Sequence, residues 1–179
     1  MLNKKNNKVA FLAQAAVIAA LYTALTYVAA AMNLAYGAVQ FRFSEALTLL
    51  PIFTPAAVPG LALGCFISNL ASPFGPVDWI FGTLATLLAA ICTRAVRNVE
   101  LKKIPWLAPF MPVIFNAVII GFEVACFSAA DIFAFSNFSF EAFISVGLSV
   151  GIGQFLMCYG LGIPLVIMIR KTKIDKLLQ

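Results

Sequence analysis

Histidine is absent from this chain of 179 residues, and only 11% of its residues are charged. Without histidine, the chain has no histidine general base, no histidine metal ligand and no HExxH protease motif. It also has no GxxxxGKS/T segment that would bind ATP through a P-loop. Acids or serines at the spacing of intramembrane catalytic sites are missing as well. The sequence therefore argues against an enzyme and predicts neither a cofactor nor a metal site.

Cysteine is sparse, and its four copies stand singly in apolar stretches at positions Cys65, Cys92, Cys126 and Cys158. No CxxC spacing occurs, which argues against a zinc site and a redox motif. We expect these side chains to pack as small hydrophobic groups, without disulfides.

Hydrophobic residues make up 63% of the chain, and its mean hydropathy is +1.00. A soluble domain would carry about 25% charged residues. Long apolar runs of roughly 20 residues are typical of transmembrane helices, whereas barrel strands alternate apolar and polar residues. The sequence predicts an all-α, polytopic membrane protein with about six transmembrane helices in one bundle. We expect residues 1–179 to form a single integral-membrane domain.

Positive charge is confined to three clusters between the apolar runs, with Arg42 as the one exception. Cytoplasmic loops are enriched in Lys and Arg, so we expect all three clusters and both termini to face the cytoplasm. The net charge of +5 lies at the ends of apolar spans, which favours lipid headgroups over nucleic acid as its contact. The clusters are Lys4, Lys5 and Lys8; Arg94, Arg97, Lys102 and Lys103; and Arg170, Lys171, Lys173 and Lys176.

Proline and the polar segments divide the chain into its predicted helices. Pro51, Pro55 and Pro59 break the apolar stretch 46–71, because proline removes a helical hydrogen bond and restricts the preceding residue. We expect two short helices there, meeting at a cytoplasmic turn near residues 54–59. The remaining predicted spans are 9–32, 79–96, 105–125 and 144–168, and the phenylalanine-rich segment 127–143 is predicted to be an external loop lying on the protein or the membrane interface.

The first span carries small residues at helical spacing, which allow close approach between helices in lipid. Two interpretations are open for this face: it packs against other helices of the same chain, or it docks onto another membrane subunit. The residues concerned are Ala15, Ala16, Ala19 and Ala20.

Polar residues inside apolar spans mark candidate sites, because charged groups at membrane depth usually face a cavity or a partner. Asn116 and Glu123 lie two turns apart on one helix face, and ligand contact is favoured there over interhelical hydrogen bonding. Arg42 and Glu45 are three residues apart, so they either pair with each other or contact a ligand. Asp78 would cap the helix that begins at Trp79, a role compatible with ligand binding.

Asn69 and Gln154 are single amides that either join helices or bind a ligand. Together with the acids and the aromatic residues Tyr36, Phe41 and Trp79, they predict a site in the outer half of the membrane. Acids favour cations, amides pair with polar ring edges, and aromatic faces stack on planar rings. The sequence thus predicts a small, planar ligand that carries positive charge or hydrogen-bond donors.

Several segments over nearly the whole chain share the pattern of one family. They are QFRFSEALTLLP (40–51), GLALGC (60–65), NLASPFG (69–75), DWIFGTLATLLAA (78–90), Asn116-Ala117, GFE (121–123) and LGIPL (161–165). These segments resemble the QueT family of queuosine-precursor transporters. The resemblance implies a substrate-binding S-component of an energy-coupling factor importer, with six helices and a site near the outer surface.

The resemblance also implies partners and a ligand. Partners would be a transmembrane coupling subunit, onto which the alanine face of the first helix docks, and two ATPase subunits that hydrolyse ATP. The ligand would be a 7-deazaguanine precursor of queuosine, in its aminomethyl or cyano form. We expect the substrate-binding residues to be Gln40, Arg42, Glu45, Asn69, Asp78, Trp79, Asn116, Glu123 and Gln154.

One position departs from the family pattern, which has Gly-x-Gly-Glu in the last helix where this chain has Gly-Ile-Gly-Gln, ending at Gln154. We expect the loss of that acid to weaken the preference for a cation or to change the preferred precursor. The alternatives are an autonomous small-solute carrier or channel, and a membrane scaffold protein without a ligand. No internal repeat, as often found in secondary carriers, is evident.

Overall fold

The computed structural model describes residues 2–35, 41–102, 104–128 and 132–176, with side chains from Asn7 onward. The described parts are helical: they contain no strand, only isolated bridges joining Leu101 to Ile104 and Phe127 to Phe133. The α-helices are α1 (Leu2–Ala31), α2 (Ala57–Asn69), α3 (Pro76–Ala95), α4 (Phe110–Ala125), α5 (Phe140–Met157) and α6 (Ile163–Lys171). A 3₁₀ helix (Phe43–Ile52) precedes α2, and a π turn (Cys158–Gly162) joins α5 to α6.

Three helical segments are long and apolar enough to cross a membrane: Asn7–Ala31, Pro76–Ala95 and the continuous helix Phe140–Thr172. The 3₁₀ helix, α2 and α4 are apolar but shorter. The all-helical class predicted from the sequence is confirmed. The number of membrane crossings and the side on which the termini lie stay predictions.

Four predicted helix boundaries are wrong by a few residues. The first helix begins at Leu2 instead of residue 9, and the last begins at Phe140 instead of residue 144 because Ser139 caps it by accepting a hydrogen bond from the Ala142 amide. Helix α4 begins at Phe110, after a turn containing Trp106, and not at residue 105. Helix α3 begins at Pro76, because Gly75 turns the chain with a φ of 62° and proline suits the first helical position.

The proline-rich stretch forms two helices, as predicted, but the first is a 3₁₀ helix and the turn is earlier. The chain turns at residues 53–56, and Pro59 lies inside the first turns of α2. The 3₁₀ helix contacts α1, α2, α3, α5, α6 and the π turn, and its residues from Ser44 to Pro51 are all buried. This short helix is therefore the centre of the bundle.

Glycine allows two pairs of helices to touch backbone to backbone. A Cβ on Gly60 would lie 2.7 Å from the Ala15 carbonyl oxygen, and one on Gly64 would lie 2.8 Å from the Ala19 carbonyl oxygen. Helix α1 therefore packs closely against α2. Gly121 meets α5 at Gly147 in the same way.

The basic residues collect at one end of the bundle, which we call the basic end. Arg94 donates to the Pro51 carbonyl oxygen at 3.0 Å, and Arg170 forms an ion pair with Glu100. The Arg170 guanidinium also lies 5.8 Å from the centre of the Phe53 ring. The chain turn at residues 53–56 is thus at the same end as the second and third charge clusters.

Candidate functional site

The buried charged residues lie at the opposite end of the bundle, which we call the acidic end. Four charged side chains are buried among the described residues: Arg42, Glu45, Asp78 and Glu123. Arg42 directly precedes the 3₁₀ helix and Glu45 lies within it. Asp78 lies near the start of α3, and Glu123 lies near the end of α4. Along α1, about 27 Å separates Lys8 from Thr26, which lies at this end and donates to Ser44 at 2.7 Å. The acidic end and the basic end are thus separated by most of the length of α1.

Arg42, Asn69 and Asp78 form one chain of hydrogen bonds. The Arg42 guanidinium donates to the Asn69 side-chain oxygen at 3.2 Å and to the Ala35 carbonyl oxygen at 3.2 Å. The Asn69 amide donates to the Asp78 backbone oxygen at 3.0 Å and to its carboxylate at 3.3 Å. A Cβ at Gly82 would lie 2.3 Å from the Asn69 amide nitrogen, so only glycine leaves room for this contact. These side chains hold one another in place.

Glu45 is paired with a residue that the sequence analysis did not single out. Its Oε1 accepts a 2.7 Å hydrogen bond from the hydroxyl of Tyr22, which is fully buried on α1. Its Oε2 is buried and has no hydrogen-bond partner among the described residues. Arg42 has extended dihedral angles before the 3₁₀ helix begins, so it does not share a helix face with Glu45, but the two side chains are near enough to interact electrostatically. Pairing of Glu45 with Arg42 therefore stays a prediction.

Glu123 is the least satisfied charged group at the acidic end. Its side chain is only 1% exposed, and neither carboxylate oxygen has a hydrogen-bond partner among the described residues. Arg42 and Asp78 are both near enough to act on it electrostatically. Asn116 is buried on the same helix, but its amide donates back to the Pro112 carbonyl oxygen at 3.0 Å. An unpaired buried carboxylate is costly, which marks Glu123 as a ligand-binding candidate.

Gln154 lies beside Glu45, in the middle of the continuous helix Phe140–Thr172. Its side-chain oxygen is 3.6 Å from the Cys158 sulfur, which is also 3.6 Å from the Glu45 backbone oxygen. Thr48 donates to the same Glu45 oxygen at 2.6 Å. Because residues three apart align in a 3₁₀ helix, Glu45 and Thr48 face the π turn together. The π turn thus borders the site.

The role of Asp78 as a helix cap is wrong, since α3 begins before it and Gly75 occupies the cap position. Asp78 is instead in the first turn, where a carboxylate still interacts favourably with the helix dipole. Trp79 is half-buried and packs edge-to-face on Phe66, with ring centres 6.4 Å apart. Its indole nitrogen is buried and has no partner among the described residues.

The described part of the phenylalanine-rich segment packs on α3 and α4, which agrees with the prediction that it lies on the protein; its external position stays a prediction. Phe133 packs against Phe81 of α3 at 5.8 Å, measured between ring centres. Phe138 packs against Phe122 of α4 at 5.6 Å. Phe122 directly precedes Glu123, so this aromatic cluster adjoins the acidic site. The predicted site residues Tyr36 and Gln40 lie outside the described residues.

Sequence reasoning missed the polar side chains that complete the site. Tyr22 and Thr26 are one helical turn apart on α1, and Thr86 donates to the Cys65 sulfur at 3.2 Å. Both Asp78 and Thr86 are buried, two turns apart on α3. Polar residues at intervals of four in an apolar helix were the signal that would have found them.

The four alanines of α1 divide between two faces. Ala15 and Ala19 meet Gly60 and Gly64 of α2, as the internal-packing alternative requires. Ala16 and Ala20 are exposed on the outside of the bundle. Only the second pair is accessible to another subunit.

An apolar groove between α4 and α5 has a volume of about 420 Å³. Its lining includes Ile114 and Leu148, which are 40% and 63% exposed, and none of the candidate site residues. In the described residues, no three His, Cys, Asp or Glu side chains are placed to share a metal ion. The acidic end is therefore the part of the chain suited to binding a polar molecule.

Comparison with known proteins assigns the chain to a family. The model of the QueT transporter family matches residues 12–171. A relative from Lactococcus lactis subsp. cremoris, named queuosine precursor transporter QueT, is 38% identical over 84 residues, and the match covers 47% of this chain and 49% of the relative. The matched part thus spans about half the length of that relative, and no solved structure matches the chain. The apolar helices agree with a multi-pass cell-membrane protein, and the chain belongs to the QueT transporter family.

Proposed function

We propose that this chain is the substrate-binding S-component of an energy-coupling factor importer and that it binds a 7-deazaguanine precursor of queuosine from the outer side. The observation that carries the proposal is the buried carboxylate of Glu123, which has no hydrogen-bond partner among the described residues and lies near Asp78 and Arg42. Unpaired acids at membrane depth usually serve a ligand. A deazaguanine is planar and presents several N–H donors, which suits such a site. The name of the Lactococcus relative supports this ligand class.

The proposed binding residues form two groups, according to whether their polar atoms already make hydrogen bonds within the protein. Arg42, Asn69 and Asp78 form the hydrogen-bonded frame, while Glu45 and Glu123 offer unpaired oxygens. The remaining proposed contacts are Gln40, Trp79, Asn116 and Gln154.

Transport would be powered by partner subunits, and the chain itself would not hydrolyse ATP. A transmembrane coupling subunit would dock on α1, where Ala16 and Ala20 are exposed one turn apart. Small side chains let two helices approach closely in lipid. The ligand would bind at the acidic end, outside the cell, and be delivered inward on ATP hydrolysis.

Uptake in proteoliposomes tests this function. The chain is reconstituted alone or with a coupling subunit and two ATPase subunits, and entry of labelled aminomethyl-deazaguanine is measured with and without ATP. We expect uptake only when the full module and ATP are present. Uptake by the chain alone, driven by an ion gradient, would instead establish an autonomous carrier. If the chain shows no ligand binding and no uptake under any condition, the remaining interpretation is a membrane scaffold protein.

The docking surface has its own test. Replacing both Ala16→Phe and Ala20→Phe should abolish uptake and leave ligand binding by the isolated chain unchanged, because both side chains are exposed whereas Tyr22, the α1 residue that contacts Glu45, is fully buried. The matched control is Leu148→Phe, at a residue that is 63% exposed on α5. Equal uptake by the double variant and the control would contradict docking on this face.

A further inference from the structure

The buried charges of the site do not balance. Among the described residues, three carboxyl groups (Glu45, Asp78 and Glu123) are buried with one cation, Arg42, so the site has more acids than cations. The ion pair between Arg170 and Glu100 is at the basic end, so it does not offset these buried acids. Buried charges are normally paired or bind a partner. The site is therefore electrostatically suited to a ligand with positive charge.

The three acids differ in how many of their oxygens are already used. Asp78 accepts from the Asn69 amide at 3.3 Å and belongs to the frame with Arg42. Glu45 accepts from Tyr22 through Oε1 and keeps Oε2 unpartnered among the described residues. Glu123 keeps both oxygens unpartnered. Within the described part of the chain, the site thus offers two free acceptor oxygens on Glu123 and one free acceptor oxygen on Glu45, whose other oxygen is bound by Tyr22.

A 7-deazaguanine ring has a matching pair of donors. Its ring N–H and exocyclic amino group point in the same direction from one edge, as the two donors of an arginine fork do toward a carboxylate. The aminomethyl form carries, on the opposite part of the molecule, an ammonium group that is a compact positive charge. The cyano form has a neutral nitrile there, whose nitrogen is an acceptor and would face a carboxylate unfavourably.

We propose, as a refinement that rests on the proposed function, that Glu123 binds the two-donor edge of the deazaguanine ring and that Glu45 binds the ammonium group, so that the site selects the aminomethyl precursor over the cyano precursor. The two carboxylates then bind different parts of the ligand: Glu123 binds the ring, and Glu45 binds the substituent. The Gln154 amide lies beside Glu45 but is uncharged. Of these two residues, only Glu45 can therefore favour the aminomethyl ligand through its charge.

Isothermal titration of the purified chain in detergent separates the two tasks. The ligands are aminomethyl-deazaguanine, cyano-deazaguanine and 7-methyl-7-deazaguanine, and the proteins are the wild type, Glu45→Gln, Glu123→Gln and the exposed control Glu141→Gln. We expect the wild type and the control to prefer the aminomethyl ligand by about tenfold or more, as for a charge-assisted hydrogen bond.

Each variant has a distinct expected pattern. Glu45→Gln should lose most of the preference for the aminomethyl ligand while it still binds the cyano and methyl ligands. Glu123→Gln should weaken all three ligands by a similar factor, about tenfold, and keep their ratio. The reverse pattern, or an unchanged preference in Glu45→Gln, would overturn the assignment.

The wild type alone provides a second measurement that does not depend on how the variants fold. Equal affinity for the aminomethyl and methyl ligands, or a preference for the cyano ligand, would overturn the proposal even if both variants were unstable. If the wild type binds no deazaguanine at all, the proposed function itself fails. Binding without selection refutes this refinement only.

Discussion

At the scale of single residues, the site contrasts polar groups that are satisfied with polar groups that are not. Asn69 is fully buried and uses both ends of its amide, one toward Arg42 and one toward Asp78. Glu123 is equally buried, and neither of its oxygens has a hydrogen-bond partner among the described residues. Satisfied polar groups rigidify a site, whereas unsatisfied ones are costly unless a ligand completes them. This contrast separates frame residues from ligand-binding residues.

The Tyr22 hydroxyl should contribute to stability through Glu45. Tyr22→Phe removes the donor to Glu45 Oε1 and leaves a buried carboxylate without this partner. We expect the free energy of unfolding to fall by about 1–3 kcal/mol, measured by denaturation in detergent. The control is Tyr27→Phe, because the Tyr27 hydroxyl donates to Ile67 at 3.1 Å from an exposed side chain. Similar losses in the two variants would argue against a special role for the Tyr22–Glu45 bond.

At the scale of secondary structure, the bundle is organised around a buried 3₁₀ helix. Its residues from Ser44 to Pro51 are buried, and it touches most of the surrounding helices. A 3₁₀ helix rises about 2.0 Å per residue, compared with about 1.5 Å in an α-helix, so ten residues reach further across the bundle. This extension places Glu45 at the acidic end while Pro51 contacts Arg94 at the basic end.

The sequence predicted the helices but not the details that complete the site. Proline and the charge clusters predicted the turn near residues 54–59, because these signals act locally along the chain. The Arg42–Asn69–Asp78 frame depends on the extended backbone at Arg42 and on the missing side chain of Gly82. Spacing along the chain could not show that Glu45 meets Tyr22, since 23 residues separate them.

Close packing of α1 on α2 makes a prediction about Gly64. A Cβ there would lie 2.8 Å from the Ala19 carbonyl oxygen and 2.8 Å from the Tyr22 Cβ, so Gly64→Ala must push the helices apart. We expect a loss of about 1–3 kcal/mol in the free energy of unfolding. The control is Gly151→Ala, whose added Cβ would lie 3.4 Å from the Ala117 Cβ, an ordinary contact. A Gly64→Ala variant as stable as the control would contradict the close packing.

At the scale of the whole molecule, charge divides the bundle into two ends. Arg94, Arg170 and the turn at residues 53–56 share the basic end, and Glu45, Asp78 and Glu123 lie toward the other. Positive loops are retained in the cytoplasm, so this division predicts the orientation in the membrane. The proposed site then lies toward the outer side of the membrane, where an importer must capture its substrate.

Labelling of single introduced cysteines tests this orientation. In intact cells, a membrane-impermeant maleimide should label Ser136→Cys, at the exposed segment next to α5, and should label Lys173→Cys only after permeabilisation. The natural chain is the control, since Cys65, Cys126 and Cys158 are buried and Cys92 is partly so. Labelling of Lys173→Cys in intact cells would reverse the orientation.

The central claim is that the acidic end of the isolated chain binds a deazaguanine, and equilibrium binding of labelled aminomethyl-deazaguanine to the purified protein in nanodiscs tests it most directly. We predict saturable binding without any partner subunit, weakened about tenfold or more by Glu123→Gln and unchanged by Glu141→Gln. Absence of saturable binding to the wild type, or equal affinity in Glu123→Gln and the wild type, would contradict the claim.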